Sequence, residues 1–476
     1  MSVTIYWHRQ DLRLSDNPAL DYAASKEGSV LPVYIRDESL TIWHVGSAQH
    51  WWLHHSLLKL QKSYKDQGAN LLLHSGKAED ILLALIKKTQ AKSIVWNRCY
   101  DPQSIKRDTE LKKLFIEMGL EVKTFNDSLL TEPEKVRNKS GGFFKVFTPY
   151  WKECLRSIEA RKEIPIPKLR NTKTLELSED INDWNLLPTK PNWAEGFSEY
   201  WSPGEEAALA KISDFLQDAM NGYGKNRDIP GITGTSRISP HLHFGEISST
   251  QIWHRVQHTI DEMGYTNDIE RYLAEIGWRE FSYYLLYHFN DLPSAPFNSK
   301  FTDFPWKDEK EHLKLWQKGM TGYPIVDAGM RELWHTGWMH NRVRMIVASF
   351  LTKHLMVPWQ KGADWFLDTL LDADIANNSA GWQWVAGCGA DASPYFRIFN
   401  PITQGKKFDP KGEYVRKWVP EIADLPDQIV HTPWLAESST LNDLSIKIGK
   451  TYPKPIVDHQ KARNRALEAY GEVKNS

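Results

Sequence analysis

Apolar residues recur along this chain with two different periods, and the change from one to the other divides it. Short β-branched or apolar runs at Val3–Trp7, Val30–Ile35, Leu71–His74, Ser93–Trp96 and Glu121–Phe125 predict strands. Between them, Gln49–Asp66, Ala78–Thr89 and Pro102–Met118 predict helices. In the last, Ile105, Leu111, Leu114, Phe115 and Met118 recur at helical spacing with charges between them. Alternation of this kind predicts a doubly wound parallel sheet, with ligands favouring the carboxyl ends of its strands. The pattern breaks after Leu129, where Pro133, Pro149, Pro165, Pro167, Pro188 and Pro191 punctuate the chain. The stretch to about Trp201 reads as a long connector. Phe143, Phe144, Phe147, Tyr150 and Trp151 make it too apolar to be disordered throughout. From Gly204 onward the periodicity is helical, clearest over Glu205–Met220, Ser249–Met263, Ile269–Tyr287, His312–Lys318, Met330–His335, Asn341–His354 and Gly362–Leu371. The expected organisation is an α/β domain over 1–130, a connector over 131–200 and an all-helical domain over 201–476.

Composition narrows the class. The 476 residues carry 59 Lys and Arg against 60 Asp and Glu, a net charge of −1. That balance argues against a bulk polyelectrolyte binder and leaves room for a local basic patch. No apolar run reaches membrane-spanning length, so no transmembrane helix is expected. Residues Met1 to Ile5 start as a strand and lack a signal-peptide pattern. Cys99, Cys154 and Cys388 are scattered, with no CxxC, which speaks against a disulfide framework or a thiolate zinc site and for a reducing cytosol. Tryptophan is the outlier: 21 residues, 13 of them after residue 200.

Four segments could carry chemistry. Gly231-Ile-Thr-Gly234-Thr235-Ser236-Arg237-Ile238-Ser239-Pro240 offers hydroxyls and backbone N–H groups to an anion, or is an ordinary turn and N-cap. Tyr272, Glu275 and Trp278 share one helix face, an aromatic–carboxylate–aromatic stripe that suits a flat heterocycle or a solvated Glu beside core aromatics. In Trp338-Met-His340-Asn341-Arg342-Val-Arg344-Met345, Asn341 can both donate to and accept from a base edge, and the arginines can reach phosphates or carboxylates. His335 and His340 lack metal-ligand spacing, and no metal is expected. The fourth, Asp372 to Trp384, is rich in ring-binding groups and continues into Tyr395-Phe396-Arg397 and Lys406-Lys407, where aromatics and cations interleave as in nucleic-acid binders, or as in a solvated charged loop. No Walker A motif occurs, and Gly387-Cys388-Gly389-Ala390-Asp391-Ala392 reads as a turn because no strand precedes it.

Taken in order, these segments resemble the photolyase/cryptochrome family. The resemblance runs from Tyr6-Trp7-His8-Arg9-Gln10-Asp11-Leu12-Arg13-Leu14-Ser15-Asp16-Asn17 to Lys417-Trp418-Val419-Pro420-Glu421. It rests on Trp278–Phe281, Thr321-Gly-Tyr-Pro-Ile-Val-Asp327, Trp338–Arg342 and Asn377–Trp384. It implies an antenna-chromophore α/β domain and a helical domain that binds FAD and repairs DNA. By the same resemblance, Tyr223, Thr235, Ser236, Arg237, Ile238, Ser239, Tyr272, Arg279, Arg344, Asp372, Asp374 and Asn378 would hold the flavin. Tyr272 stands where many relatives carry Trp. Glu275, Trp278, Asn341, Met345 and Trp384 would form the pocket for a cyclobutane pyrimidine dimer. Trp382, Trp359 and Trp306 would pass electrons to the flavin, and Arg227, Arg342, Arg397 and Lys407 would meet DNA phosphates. The implied chemistry is photoinduced electron transfer from FADH⁻ to the dimer, which needs no metal and no nucleophile.

Two relatives within the family differ at single positions. A (6-4) photolyase usually shows His where Asn341 stands. A blue-light-sensing cryptochrome of the plant type carries Asp where Asn378 stands, and only 58 residues follow Trp418 here. The expectation is dimer repair, with sensing as the alternative. The antenna expected from family frequency is 5,10-methenyltetrahydrofolate, with 8-hydroxydeazaflavin second; Gln103-Ser104 departs from the Asn-Glu pair that folate-binding members often carry there. The expected partner is dimer-containing DNA, and the protein is expected to be a cytoplasmic, nucleoid-associated monomer.

Overall fold

A computed structural model describes residues 2–39, 46–170, 178–392 and 396–475. The chain folds as two compact units: Met1–Asn221 with Ser236–Asn290, and Gly222–Thr235 with Asp291–Ser476.

The first unit holds five parallel strands, β1 (Val3–His8), β2 (Ser29–Asp37), β3 (Leu72–Gly76), β4 (Ser93–Asn97) and β5 (Glu121–Phe125), in the order β3-β2-β1-β4-β5. Helices α1 (Pro18–Ser25), α2 (Ser47–Asp66), α3 (Ala78–Thr89) and α4 (Pro102–Glu117) connect them. A parallel sheet covered on both faces needs near-continuous apolar strands. In β1 every residue after Val3 is buried. Ile5, Trp7, Leu31, Val33, Ile94 and Trp96 pack against Leu82, Leu85, Leu111 and Phe115. Local signals set the helix starts. Asn17 caps α1 by accepting from Leu20 N and Asp101 caps α4 by accepting from Ser104 N, each just before a proline.

The strand order reverses between β1 and β4, where such sheets place ligands beyond the carboxyl ends. Here that end is built from charge and aromatic rings. Arg9 bonds Asp108 at 2.7 Å, and the guanidiniums of Arg9 and Arg107 each lie 4.7 Å from the Trp7 ring. Asp11 accepts from Tyr6 Oη at 2.8 Å and Asn97 Nδ2 at 2.7 Å. Burial pushes its carboxyl up, but the bonds from His8 and Arg9 N–H outweigh that and hold it well below the usual range.

The connector carries an unexpected helix, α5 (Phe147–Ser157), which buries Phe147, Tyr150, Trp151 and Cys154. It packs on the 22-residue helix Asn267–His288. Gly277 of that helix faces the Trp151 indole so closely that a Cβ would stand 2.5 Å from a ring atom, so only glycine fits.

The second unit is helical among the described residues. Its core gathers Trp316, Val343, Val347, Phe350, Trp359, Phe366 and Trp382. The helix expected from Met330 starts at Pro324, because its first turns are buried all round and show no amphipathic period. The helix expected over Asn341–His354 is α-helical only to Ser349 and continues as a π-turn over Phe350–His354. No helix among the described residues is long and apolar enough to cross a membrane.

Candidate functional site

The sequence-selected residues fall on both units, and each unit brings some of them together. In the first, Tyr272, Glu275 and Trp278 follow one another along one face of Asn267–His288. Tyr272 is buried, lies 4.8 Å from the Phe215 ring, and has its hydroxyl pKa pushed up by burial, opposed by a hydrogen bond with Ser236. Glu275 and Trp278 are half-buried. One face of the Trp278 indole is covered: the Phe147 ring stacks on it with centroids 3.9 Å apart and planes 8° from parallel. Ser239 opens a five-residue helix, too short to add a helix-end field, and Ile238 before it is buried. Arg237 has a φ of +49°, left-handed backbone that non-glycine residues rarely adopt. Arg279 is engaged within the fold, donating to Ser128 O at 2.8 Å and Ser249 Oγ at 3.1 Å.

In the second unit the remaining candidates gather on two helices and their flanks. His340 caps Asn341–Ser349 by accepting from Arg342 N, leaving Asn341 exposed in the first turn. Arg344 donates through Nη2 to both oxygens of Asp372, at 3.0 and 2.8 Å, and through Nε to Met339 O at 2.7 Å. Asp372 is buried, so the pair is costly to break from either side. Asp374 caps the helix Ile375–Ala386, its Oδ1 accepting from Asn377 N and Nδ2 at 2.8 Å each. Asn378 donates Nδ2 to Ala363 O at 3.0 Å. Tyr223 is buried under Arg227, whose guanidinium lies 5.4 Å from its ring, and Thr235 is half-buried.

Trp382 and Trp384 point differently, as their two-residue spacing predicts. Trp382 is in the core, edge-on to Phe366 at 5.0 Å and Trp316 at 6.2 Å. Trp384 is half-buried beneath the Arg397 guanidinium, 5.9 Å from its ring. Trp359 is buried and shares its helix with Gly362, whose Cβ would meet the Trp382 ring at 2.1 Å. Trp306 is half-buried against Phe304 at 4.3 Å. Tyr395 lies outside the described residues.

Two of the candidate cations, Arg342 and Lys407, meet at a ring that sequence reasoning missed. Arg342 lies 4.5 Å over the Phe408 ring and Lys407 lies 5.0 Å from the same ring. Asp228, next to Arg227 in sequence, accepts from Arg342 Nη2 at 2.8 Å. Phe147, Phe408, Asp228 and Trp316 carry no motif signal, because each acts through a partner distant in sequence. Proximity to a candidate cation could have flagged Asp228 and Phe408.

The arrangement suits a flat, polar-edged ring. Trp382 Nε1 is buried with no hydrogen-bond partner among the described residues. Asn378, one turn earlier on the same helix face, has its amide nitrogen tied to Ala363 O and its carbonyl oxygen left as acceptor. Among the described residues no cluster of side chains could hold a metal ion.

A DNA photolyase family model matches residues 4–168, and a model for the FAD binding domain of DNA photolyase matches residues 272–472. The chain is 51% identical over 473 residues to a deoxyribodipyrimidine photo-lyase of Agrobacterium fabrum, covering 99% of this chain and 98% of that one. The chain therefore belongs to the photolyase/cryptochrome family. Cryptochrome-1 of Arabidopsis thaliana is 36% identical over 482 residues, 99% of this chain and 70% of the cryptochrome. The crystal structure of a bacterial class III photolyase from Agrobacterium tumefaciens superimposes with a TM-score of 0.97 at 51% identity, covering 100% of this chain and 98% of that one.

Proposed function

We propose that the protein is a deoxyribodipyrimidine photo-lyase that uses light and reduced FAD to split cyclobutane pyrimidine dimers in DNA. The observation that carries this reading is the full-length identity of 51% to an enzyme of that name. The stripe of Tyr272, Glu275 and the one-sided indole of Trp278 supports it. When bound, FAD supplies the photoexcited electron that opens the dimer and to which that electron returns.

The chain's own residues then hold and orient. Tyr223, Thr235, Ser236, Arg237, Ile238, Ser239, Tyr272 and Arg279 would grip the cofactor's phosphates, ribityl chain and adenine. Arg344 and Asp372 would fix the ring's flank, with Asp374 and Asn378 at its polar edge. The dimer leaves the duplex at a cost of a few kcal/mol or less, because its pairing is already weakened. Trp278 and Trp384 would give it apolar walls, with Met345 beside them. Glu275 and Asn341 would bond the pyrimidine edges, and Glu275 would hold charge on the reacting base. Arg227, Arg342, Arg397 and Lys407 would anchor flanking phosphates. Trp382, Trp359 and Trp306 would recharge the flavin. The antenna is a methenyltetrahydrofolate in this reading, with deazaflavin second, and the protein works as a cytoplasmic monomer at the nucleoid.

Blue-light sensing is the second reading, favoured by the similarity to plant cryptochromes. The two separate in one assay. Holoprotein reduced under blue light should remove a single thymine dimer from an oligonucleotide, followed chromatographically. Glu275→Ala should lower the repair yield while keeping its flavin. No repair by flavin-loaded wild type would leave the sensing reading standing, and flavin loss from Glu275→Ala would contradict the role given to Glu275.

A further inference from the structure

One of the candidate DNA cations is already paired. Arg342 gives Nε and Nη2 to a single oxygen, Oδ1 of Asp228, at 3.3 and 2.8 Å. Its Nη1 stands 3.7 Å from Met345 Sδ, and its guanidinium lies over Phe408. Neither partner is sealed in the core: the Arg342 and Asp228 side chains are 19% and 33% exposed. Arg227 precedes Asp228 in sequence, and Lys407 shares the Phe408 ring with Arg342. Asp228 is thus paired with Arg342, which in turn shares an aromatic ring with a second candidate cation.

A guanidinium carries five N–H donors in a rigid fork. Asp228 takes the Nε donor and one of the two on Nη2, and Met345 takes one on Nη1. Among the described residues one N–H on each terminal nitrogen is left to meet phosphate oxygens. The carboxylate therefore fixes Arg342 in place without using the donors a phosphate needs. It also cancels the arginine's charge at a distance. A duplex approaching from beyond a Debye length, ~10 Å at 0.1 M salt, meets a near-neutral pair instead of a free cation.

We propose that Asp228 is a specificity-determining positioning residue: it weakens the hold on undamaged DNA backbone while keeping Arg342 oriented for a phosphate beside a seated dimer. This rests on the photolyase reading above. Sequence-independent affinity comes from counterion release and grows with the number of phosphates neutralised. Masking one cation lowers that affinity on every stretch of duplex. A lesion held in a pocket brings its flanking phosphates to fixed positions, where short-range bonds to the preset fork replace long-range attraction.

The test compares flavin-loaded wild type, Asp228→Asn, Asp228→Glu and Arg342→Gln. Each is titrated in the dark with undamaged duplex and with duplex carrying one thymine dimer, by fluorescence anisotropy from 50 to 200 mM salt. Asp228→Asn should bind undamaged duplex roughly threefold to tenfold more tightly at the low-salt end, and its log–log salt slope should steepen by about 0.9. Affinity for dimer duplex should rise less, so the preference falls. Asp228→Glu should restore most of it, a rescue that a purely structural role would not give. The proposal is overturned if Asp228→Asn leaves undamaged-duplex affinity unchanged or lower, or raises both affinities by the same factor. The photolyase reading fails separately, and the proposal with it, if wild type shows no preference for dimer duplex. An Arg342→Gln affinity equal to wild type would remove the phosphate role of Arg342 and overturn the proposal alone.

Discussion

Replacing Phe147 by leucine tests whether α5 sets the indole plane of Trp278. The Phe147 ring is almost fully buried and stacks face to face on Trp278 at 3.9 Å and 8°, with Phe281 edge-on at 6.1 Å. Leucine fills similar volume and has no π face, so the packing loss stays below about 1.5 kcal/mol. A stacked aromatic pair contributes roughly 0.5–1.5 kcal/mol beyond its buried area. If that energy holds the indole where a dimer stacks on its other face, the dimer Kd should rise by about 2- to 12-fold. The yield per photon at saturating dimer should stay level, because the electron-transfer partners are untouched. Flavin content should also be unchanged. Phe147→Tyr keeps the stack and should bind like wild type. Dark titration with dimer oligonucleotide, followed by repair at saturation, separates the two quantities. Wild-type affinity in Phe147→Leu, or equal weakening in Phe147→Tyr, would show that the stack does not position Trp278.

Two further outcomes follow from the same helix. Burial pushes the Glu280 carboxyl up to about 7, opposed by Arg279 and by the Thr131 N–H. The folded state therefore binds more protons than the unfolded one between the ordinary value of 4.5 and about 7, and stability falls as pH rises through that window. The shift corresponds to roughly 3 kcal/mol, so Glu280→Gln should gain stability over wild type by up to that amount between pH 5 and pH 8 in denaturant titrations; parallel pH profiles would contradict it. Gly277→Ala would push a methyl into the Trp151 indole and should cost about 1–3 kcal/mol. Trp151→Phe in the same chain should recover part of the loss, and additive destabilisation would count against that contact.

The sheet was readable because its strands and helices obey local rules. All five expected strands overlap β1–β5, and α3 matches residue for residue. What escaped had no local signature. Helix α1 is eight residues long, and α5 lies among prolines, where an aromatic amphipathic stretch looks like connector. The all-buried start at Pro324 and the π-turn at Phe350 carry no period at all. The candidate residues show the same split. The Tyr272–Glu275–Trp278 stripe and the two directions of Trp382 and Trp384 are consequences of helix geometry, visible in the spacing. Arg344 and Asp372 are named for the flavin by family resemblance alone, and no spacing rule links positions 28 apart. Phe147 behind Trp278 and Asp228 beside Arg342 are tertiary, set by segments separated by more than 100 residues.

The discontinuity of the two compact units has a consequence for synthesis. Gly222–Thr235 belongs with residues from Asp291 onward, yet it leaves the ribosome before the last stretch of the other unit, Ser236–Asn290. Asp228 must wait for Arg342, 114 residues later. At elongation rates of about 5–20 residues per second that delay is roughly 6–23 s. The nascent chain can complete its sheet-bearing unit while this short acidic-and-basic segment stays unpaired, open to chaperones and proteases until the second unit forms around it.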